Sequence, residues 1–343
     1  MKLMNRMRRV GAAAGVAVAA VFAATPSAMA QESVPLRYKW EQGQVLRQRV
    51  TQETNSTGDG PMGAMSSKQK QVMTVRTTVQ SVAEDGAATL EYVTEAMQVE
   101  MEMPMQGKVT YDTAKPEQGD GNHPAVQAMT TMLNEPIVFV MGPDGKIREV
   151  RGIEKLKEKM RKSLEGTPGG EMAGAQVEQM FTEEQVKQMF GQSAAALPAR
   201  DTKVGETWQS VIEIPMPMIG KLKSTSDFTL KGVEKMNGAP AARIDVAMTM
   251  AQVPLKEGEQ PAGMFPGMTA SIKDGKGTGE MWFDHARGQM LKYVLNSSMT
   301  MDINVDAGGQ KMKMSQKVDS KTTVEQVDDK AVDTPKTGAA PAK

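Results

Sequence analysis

Residues Gln289–Val327 read QMLKYVLNSSMTMDINVDAGGQKMKMSQKVDSKTTVEQV. From Leu291 the odd positions are Leu291, Tyr293, Leu295, Ser297, Met299, Met301, Ile303 and Val305. The even positions between them are polar, apart from Val294. Successive side chains of a strand point to opposite faces, so this alternation predicts one long strand with an apolar and a polar face. Asp306-Ala307-Gly308-Gly309 supplies a turn. The return strand then places Met312, Met314, Val318 and Val324 on one side and Lys311, Lys313, Lys317, Asp319 and Lys321 on the other. At ~3.3 Å per residue each arm reaches roughly 50 Å. A two-stranded hairpin is not stable alone in water, so its apolar face demands a partner layer.

Bulk composition narrows the function classes. The chain has 343 residues, 41 basic and 41 acidic, for a formal net charge of zero. A nucleic-acid binder needs excess positive charge to displace counterions, so the balance argues against that class. Cysteine is absent, which removes disulfides, thiol catalysis, thiolate metal sites and a lipidated N-terminal cysteine. Methionine is abundant, at 31 residues, while aromatics make up only 4%. Methionine is flexible and polarisable, so it fills irregular cores or lines adaptable binding surfaces.

Met1–Ala30 has the three parts of a secretory signal peptide. Lys2, Arg6, Arg8 and Arg9 form the basic start, Val10–Ala24 the apolar run, and Ala28-Met29-Ala30 a cleavage site before Gln31. The apolar run is shorter than the roughly 20 residues a membrane span needs. The expectation is an exported chain, periplasmic or extracellular, with no transmembrane anchor after cleavage. Residues 31–121 alternate like strands, with Asn55–Lys68 reading as a loop on its Gly, Ser and Asn content. Residues 122–198 are predicted as a helical insertion carrying a short hairpin at Ile137–Val150. Its helices cover Asn122–Asn134 and the face Ile153, Leu156, Met160, Leu164, and a further one follows the capping box Thr182–Gln185. Gly166–Gly174 breaks the second of these. Strands return over 199–327, where Pro215 and Pro217 point to an edge strand and Asn237-Gly238 to a tight hairpin. Pro254–Lys276 reads as a long loop. Residues 328–343 form a disordered tail by composition.

The two strand regions share features. Gly43-Gln44 after Trp40 matches Gly205-Glu206 before Trp208. Thr78–Val82 with Asp85-Gly86 matches Thr229–Val233 with Asn237-Gly238, and Tyr111-Asp112 matches Phe283-Asp284. This suggests a duplicated unit. The fold class expected is therefore α+β: mainly antiparallel sheet in two related strand units, with a helical insertion packed on an apolar sheet face.

Leu36–Trp40, Tyr111-Asp112, Pro143–Ile147, Val204–Trp208 and Phe283-Asp284 with Gly288 together resemble a family of exported bacterial proteins of unknown function, a planctomycete-type domain. The resemblance implies no reaction. At fold level, a sheet with one apolar face over helices is also similar to periplasmic lipoprotein carriers, an analogy only.

Chemistry-bearing motifs are few. His123 and His285 are the two histidines, so a three-histidine metal site cannot form. Asp112-Thr113-Ala114 and Asp284-His285-Ala286 lack the Asp-Thr/Ser-Gly turn of a shared-proton carboxylate pair. Asp284–Gly288 reads instead as a turn in which Asp bonds its own backbone and Gly supplies positive φ. No nucleophile elbow, phosphate loop or dinucleotide fingerprint occurs. The expectation is thus no catalytic residue, no cofactor and no enzyme.

Methionine pairs two apart stand out: Met101/Met103/Met105, Met216/Met218, Met248/Met250, Met299/Met301 and Met312/Met314. On strands each pair shares a face. The candidate ligand-binding residues are Met101, Met103, Met248, Met250, Met299, Met301, Met312 and Met314. They would form an adaptable face for an apolar small molecule, a lipid or a hydrophobic protein segment. Two alternatives stay open at this point: a structural cell-envelope protein whose methionines are closed core, and a Cu(I)-binding protein using the thioether pairs.

Overall fold

A computed structural model describes residues 33–60, 63–104, 107–164, 182–187, 197–216, 219–254, 268–307 and 310–327. The predicted signal peptide Met1–Ala30, the expected cleavage site Ala30/Gln31, Met105, Pro217, Met218, the expected Gly166–Gly174 break, residues 308–309 and residues 328–343 lie outside the described residues.

Antiparallel strands dominate. In chain order they are β1 (Ser33–Leu36), β2 (Val45–Gly60), β3 (Gly63–Val82), β4 (Ala88–Met103), β5 (Gly107–Asp112), β6 (Ile137–Met141) and β7 (Ile147–Arg151). After these come β8 (Arg200–Lys203), β9 (Thr207–Met216), β10 (Gly220–Met236), β11 (Ala239–Gln252), β12 (Met268–Asp284), β13 (Gln289–Ala307) and β14 (Gln310–Gln326). Helix α1 is Pro124–Thr130 and α2 is Ile153–Leu164, and residues 183–187 are also helical. Among the described residues twelve strands form one sheet in the order β7-β6-β4-β3-β2-β14-β13-β12-β11-β10-β9, with β5 also on β4. β1 and β8 pair separately.

The Gln289–Val327 hairpin forms in the register its alternation requires. Tyr293 faces Val324, Met299 faces Val318, Ile303 faces Met314 and Val305 faces Met312. β9, which carries Pro215, is the edge strand of its end of the sheet. Asn237 and Gly238 both take positive φ, +52° and +83°, as a two-residue hairpin turn requires.

Two segments expected to be loops are strand. Asn55–Gly60 belongs to β2 and Gly63–Lys68 to β3, paired residue for residue from Asn55↔Lys68 to Gly60↔Gly63. Their Ser, Thr, Asn and Gly composition reflects a sheet solvated on both faces here, not a break. Likewise Met268–Lys276 is the first half of β12, within the stretch read as a loop from Pro254. β8 and the Pro116–Gln118 turn have no counterpart in the sequence reading.

Val99, Val246, Leu295 and Val318 lie on one face of the sheet, the core face. At one end of the strands it is covered by β1. Val34, Leu36 and Tyr38 pack with Leu230, Ile244, Met281 and Phe283, all under 9% exposed. Side chains of this size each contribute roughly 1.5–3 kcal/mol when fully buried. Val126 of α1 packs on Met97, Val99 and Met101 of β4 and Val109 of β5. Ile153 and Leu156 of α2, with Val186, pack on Ile137, Phe139 and Val150. Trp40 touches both the β1 cluster and the Val79–Ala88–Leu90 cluster, and its ring stacks on Tyr38 with centroids 5.7 Å apart.

Backbone details recur in the two halves. Gly43 donates to the Val79 carbonyl at 2.8 Å and Val79 donates to that of Gln44 at 2.9 Å. Gly205 donates to Leu230 at 2.7 Å and Leu230 to Glu206 at 3.1 Å. A bulge follows Val79 and another follows Leu230. A second pair of register shifts falls between Val140 and Met141, and between Trp282 and Phe283.

Candidate functional site: the methionine-bearing core face

The ladder registers place all eight candidate methionines on the core face. Met101 and Met103 come from β4, Met248 and Met250 from β11, Met299 and Met301 from β13, and Met312 and Met314 from β14. They divide into two groups. Met101 is buried at 6% exposure and Met103 partly buried, both in the cluster closed by Val126 and Met129 of α1. The other six are half-buried. Among the described residues none of the six belongs to a buried core cluster.

The six form a continuous patch because of what lies between them. β12 presents Gly275, Gly277 and Gly279 to this face, opposite Met299, Ser297 and Leu295 of β13. A side chain at Gly277 would meet the Met248 methyl at 2.8 Å, and one at Gly275 the Met250 Cβ at 2.7 Å. The glycines thus leave a side-chain-free column that Met248 lies across. A strand glycine at such a position permits close approach of another group. Ile272 then faces Met301 beyond the bulge at Lys273.

Between this patch and the β4 cluster runs a neutral polar stripe. It comprises Gln52 and Thr54 of β2, Gln69 and Gln71 of β3, and Ser320 and Thr322 of β14. Thr54 Oγ1 and Ser320 Oγ are 3.4 Å apart, Gln316 Nε2 donates to Ser56 Oγ at 2.6 Å, and Gln71 Nε2 to the Met97 sulfur at 3.4 Å. Sequence reading missed this stripe. Its β2 and β3 residues flank the Asn55–Lys68 stretch read as a loop, and Ser320 and Thr322 sit on the return strand of the hairpin.

Charged groups lie on the outer face. Glu53 pairs with Lys70 at 3.1 Å, and Arg243 with Glu280 at 2.9 Å while its guanidinium sits 5.9 Å over the Trp282 ring. Asp302, its side chain 8% exposed, takes Lys273 at 3.2 Å, Lys313 at 3.1 Å and Ser315 Oγ at 3.0 Å. Hydrogen bonding from Lys313 and Ser315, with Lys273 beside them, holds its carboxyl below the usual range. A surface cleft of about 910 Å³ also lies on the outer face, over β10–β13, lined by Trp282 and by charges of both signs. None of the eight methionines lines it.

Three of the residues weighed for chemistry, His123, Asp112 and Asp284, serve local structure. His123 caps α1, its Nδ1 accepting from the Ala125 amide at 3.3 Å. Asp112 Oδ1 accepts from the Ala114 amide at 2.8 Å. Asp284 Oδ1 accepts from Ala286 at 3.0 Å and Arg287 at 2.9 Å, and Gly288 has φ +68°. This is the turn chemistry read from the sequence. Among the described residues no group of three His, Cys, Asp or Glu side chains is placed to hold a metal. No described helix is long and apolar enough to cross a membrane.

The model of a family of unknown function, DUF6263, matches residues 85–290. No curated protein matches. Among solved structures, lipovitellin, solved for its lipid–protein interactions, is similar at 10% identity with a TM-score of 0.42. That match covers 89% of this chain, which spans only 27% of the lipovitellin chain. DynF, from the dynemicin biosynthesis pathway of Micromonospora chersina, matches at 9% identity over 85% of each chain, TM-score 0.18. OpdQ of Pseudomonas aeruginosa matches at 7% identity over 82% of this chain and 99% of its own, TM-score 0.17.

Proposed function

The chain belongs to the DUF6263 family of unknown function, and on that premise we propose that it is an exported, non-enzymatic binding protein. Its site is the core face of β11–β14, and its ligand an apolar small molecule, a lipid or a hydrophobic protein segment. One observation carries this. Met248, Met250, Met299, Met301, Met312 and Met314 share one sheet face and stay half-buried, and the glycines of β12 let Met248 and Met250 lie close against the backbone between them. Thioether side chains are flexible and polarisable, so they adapt to irregular apolar shapes. The signal-peptide pattern of Met1–Ala30 supports a periplasmic or extracellular location, and the bacterial, planctomycete-type assignment belongs to the same proposal.

The fold reading that accompanies it is two related strand units, with the α1–α2 region inserted in the first. The matched hydrogen bonds at Gly43/Val79 and Gly205/Leu230 support it, as do the matched bulges. The register adds to this: Ala88 and Leu90 face Met141 and Phe139 as Ala242 and Ile244 face Phe283 and Met281. On that alignment the counterpart of Phe283 is Met141, not Tyr111.

Nile red, an apolar dye, tests the site. Saturable micromolar binding is expected, weakened about tenfold, or ~1.4 kcal/mol, in a Met250→Gln, Met299→Gln, Met314→Gln triple variant with unchanged circular dichroism. Dye binding that is absent, or indifferent to the three changes, would remove the site.

A further inference from the structure

Charge is partitioned between the two faces of the sheet without exception along its central rows. On the core face, β2 from Gln48 to Gly58, β4 from Met97 to Met103, β11 from Ala242 to Gln252, β13 from Tyr293 to Val305 and β14 from Met312 to Val324 carry no Asp, Glu, Lys or Arg. The same holds for β3 from Met65 to Val75 and β12 from Ile272 to Phe283. The same strands place Glu53, Lys70, Glu100, Asp245, Asp302, Lys317 and their neighbours on the outer face.

The bulges show the rule most clearly, because a bulged residue can turn to either side. Glu95, skipped where Thr74 gives way to Val75, goes to Arg47 and Arg76 at 2.8 Å each. Lys231 goes to Asp245 at 3.7 Å and Lys273 to Asp302 at 3.2 Å. All three choose the outer face.

Solvation alone does not explain this. Half-buried sheet positions accept Lys and Glu readily, because a long side chain lays its stem on the sheet and keeps its charge in water. The outer face does so at alternate residues. A face held free of charge suits an occupant that brings none, since an ionised group pressed against it without a counter-charge loses its hydration uncompensated. The face is not uniformly apolar, however. The Gln52–Gln69–Gln71–Ser320–Thr322 stripe offers neutral donors and acceptors beside the methionine patch.

Resting on the binding site proposed above, we infer that its occupant is an uncharged lipid with ester or hydroxyl groups, a diacylglycerol, in place of a fatty acid or an anionic phospholipid. The acyl chains lie over Met250, Met299 and the glycine column. The ester and hydroxyl oxygens meet the glutamine, serine and threonine stripe.

The test compares two lipids with the same chains. The purified full-length mature protein is incubated with vesicles holding trace labelled dioleoylglycerol or dioleoyl phosphatidic acid, and protein-bound label is measured after separation. At least tenfold preference for dioleoylglycerol is expected. Equal uptake, or preference for the phosphatidic acid, would overturn the assignment of a neutral ligand while leaving the apolar site intact. Saturable Nile red binding with uptake of neither lipid would also overturn it alone. Failure of both lipids and of the dye would remove the site itself. Ser320→Lys, which sets a cation in the stripe, is expected to lower dioleoylglycerol uptake at least tenfold and raise that of phosphatidic acid. A folded variant with unaltered preference would count against the inference, and the comparison on the unmodified protein decides it independently.

Discussion

The backbone amide of Lys39 donates to the carbonyl of Gly288 at 3.2 Å, tying the segment after β1 to the turn between β12 and β13. Gly288 holds φ +68°, and a Cβ added there would overlap the Lys39 backbone. Two independent reasons therefore require glycine. Gly288→Ala is expected to cost roughly 3 kcal/mol, read as a lowered urea midpoint. A loss within ~0.5 kcal/mol would mean the segment gives way freely.

Asp284 anchors the same turn from below, accepting two backbone hydrogens while only 3% exposed. Removing the carboxylate strands two shielded donors. Asp284→Ala is expected to destabilise by about 1–3 kcal/mol. Asp284→Asn, which keeps an acceptor oxygen, should recover most of that on the same denaturation curve.

Adjacent residues of β13 separate the two faces. Met299 faces Gly275 and Val318 on the core face, whereas Thr300 faces Asp274 on the outer face. Met299→Lys is expected to abolish dye binding while costing under ~1 kcal/mol of stability, because from a half-buried position its ammonium reaches water. Thr300→Lys, placed between the Asp274 carboxylate and the Lys317 ammonium, should leave both within ~0.5 kcal/mol. Equal effects from the two would erase the distinction between faces.

Asp302 supplies a pH dependence of known sign. Its carboxyl is held below the usual range by Lys313, Ser315 and Lys273. The stabilisation is complete above the unfolded carboxyl's pKa of about 3.9 and is lost as pH falls through the lower folded value. The stability gap between the unmodified protein and Asp302→Asn should be constant from pH 7 to about 5 and close below about 4. Denaturant midpoints across that range read it out.

Much of the sheet was legible because alternation is a local property. The β13–β14 register, the β9 edge and the Asp284–Gly288 turn each follow from residues close in sequence. What escaped was of two kinds. Asn55–Lys68 looked like a loop because Asn55, Ser56, Thr57 and Gly58 are turn-formers, but in a sheet wet on both sides such residues alternate like any others. Asn55 to Gly58 pair with Asp319 to Gln316 of β14, contacts that no local pattern announces. The β1–β8 pair escaped for a related reason: Ser33–Leu36 meets Arg200–Lys203 through four residues on each side, too few to show a period. The candidate methionines were found because thioethers are conspicuous. The glutamine and serine stripe was not, since neutral polar residues on a strand look like solvent-facing ones until the partner strands are known.

The position of β2 between β3 and β14 has a consequence for how the molecule comes into being. Ribosomes deliver the early strand long before its late neighbour, so one flank of β2 stands open until the final hairpin arrives. Closing that seam joins positions as far as 266 residues apart, as Thr54 and Ser320 are, and encounters so distant in the polypeptide are slow. In the interval the bare ladder can recruit a stranger. The late seam thus leaves the early ribbon's hydrogen-bonding groups unsatisfied through most of synthesis, which is the interval in which mispairing threatens it.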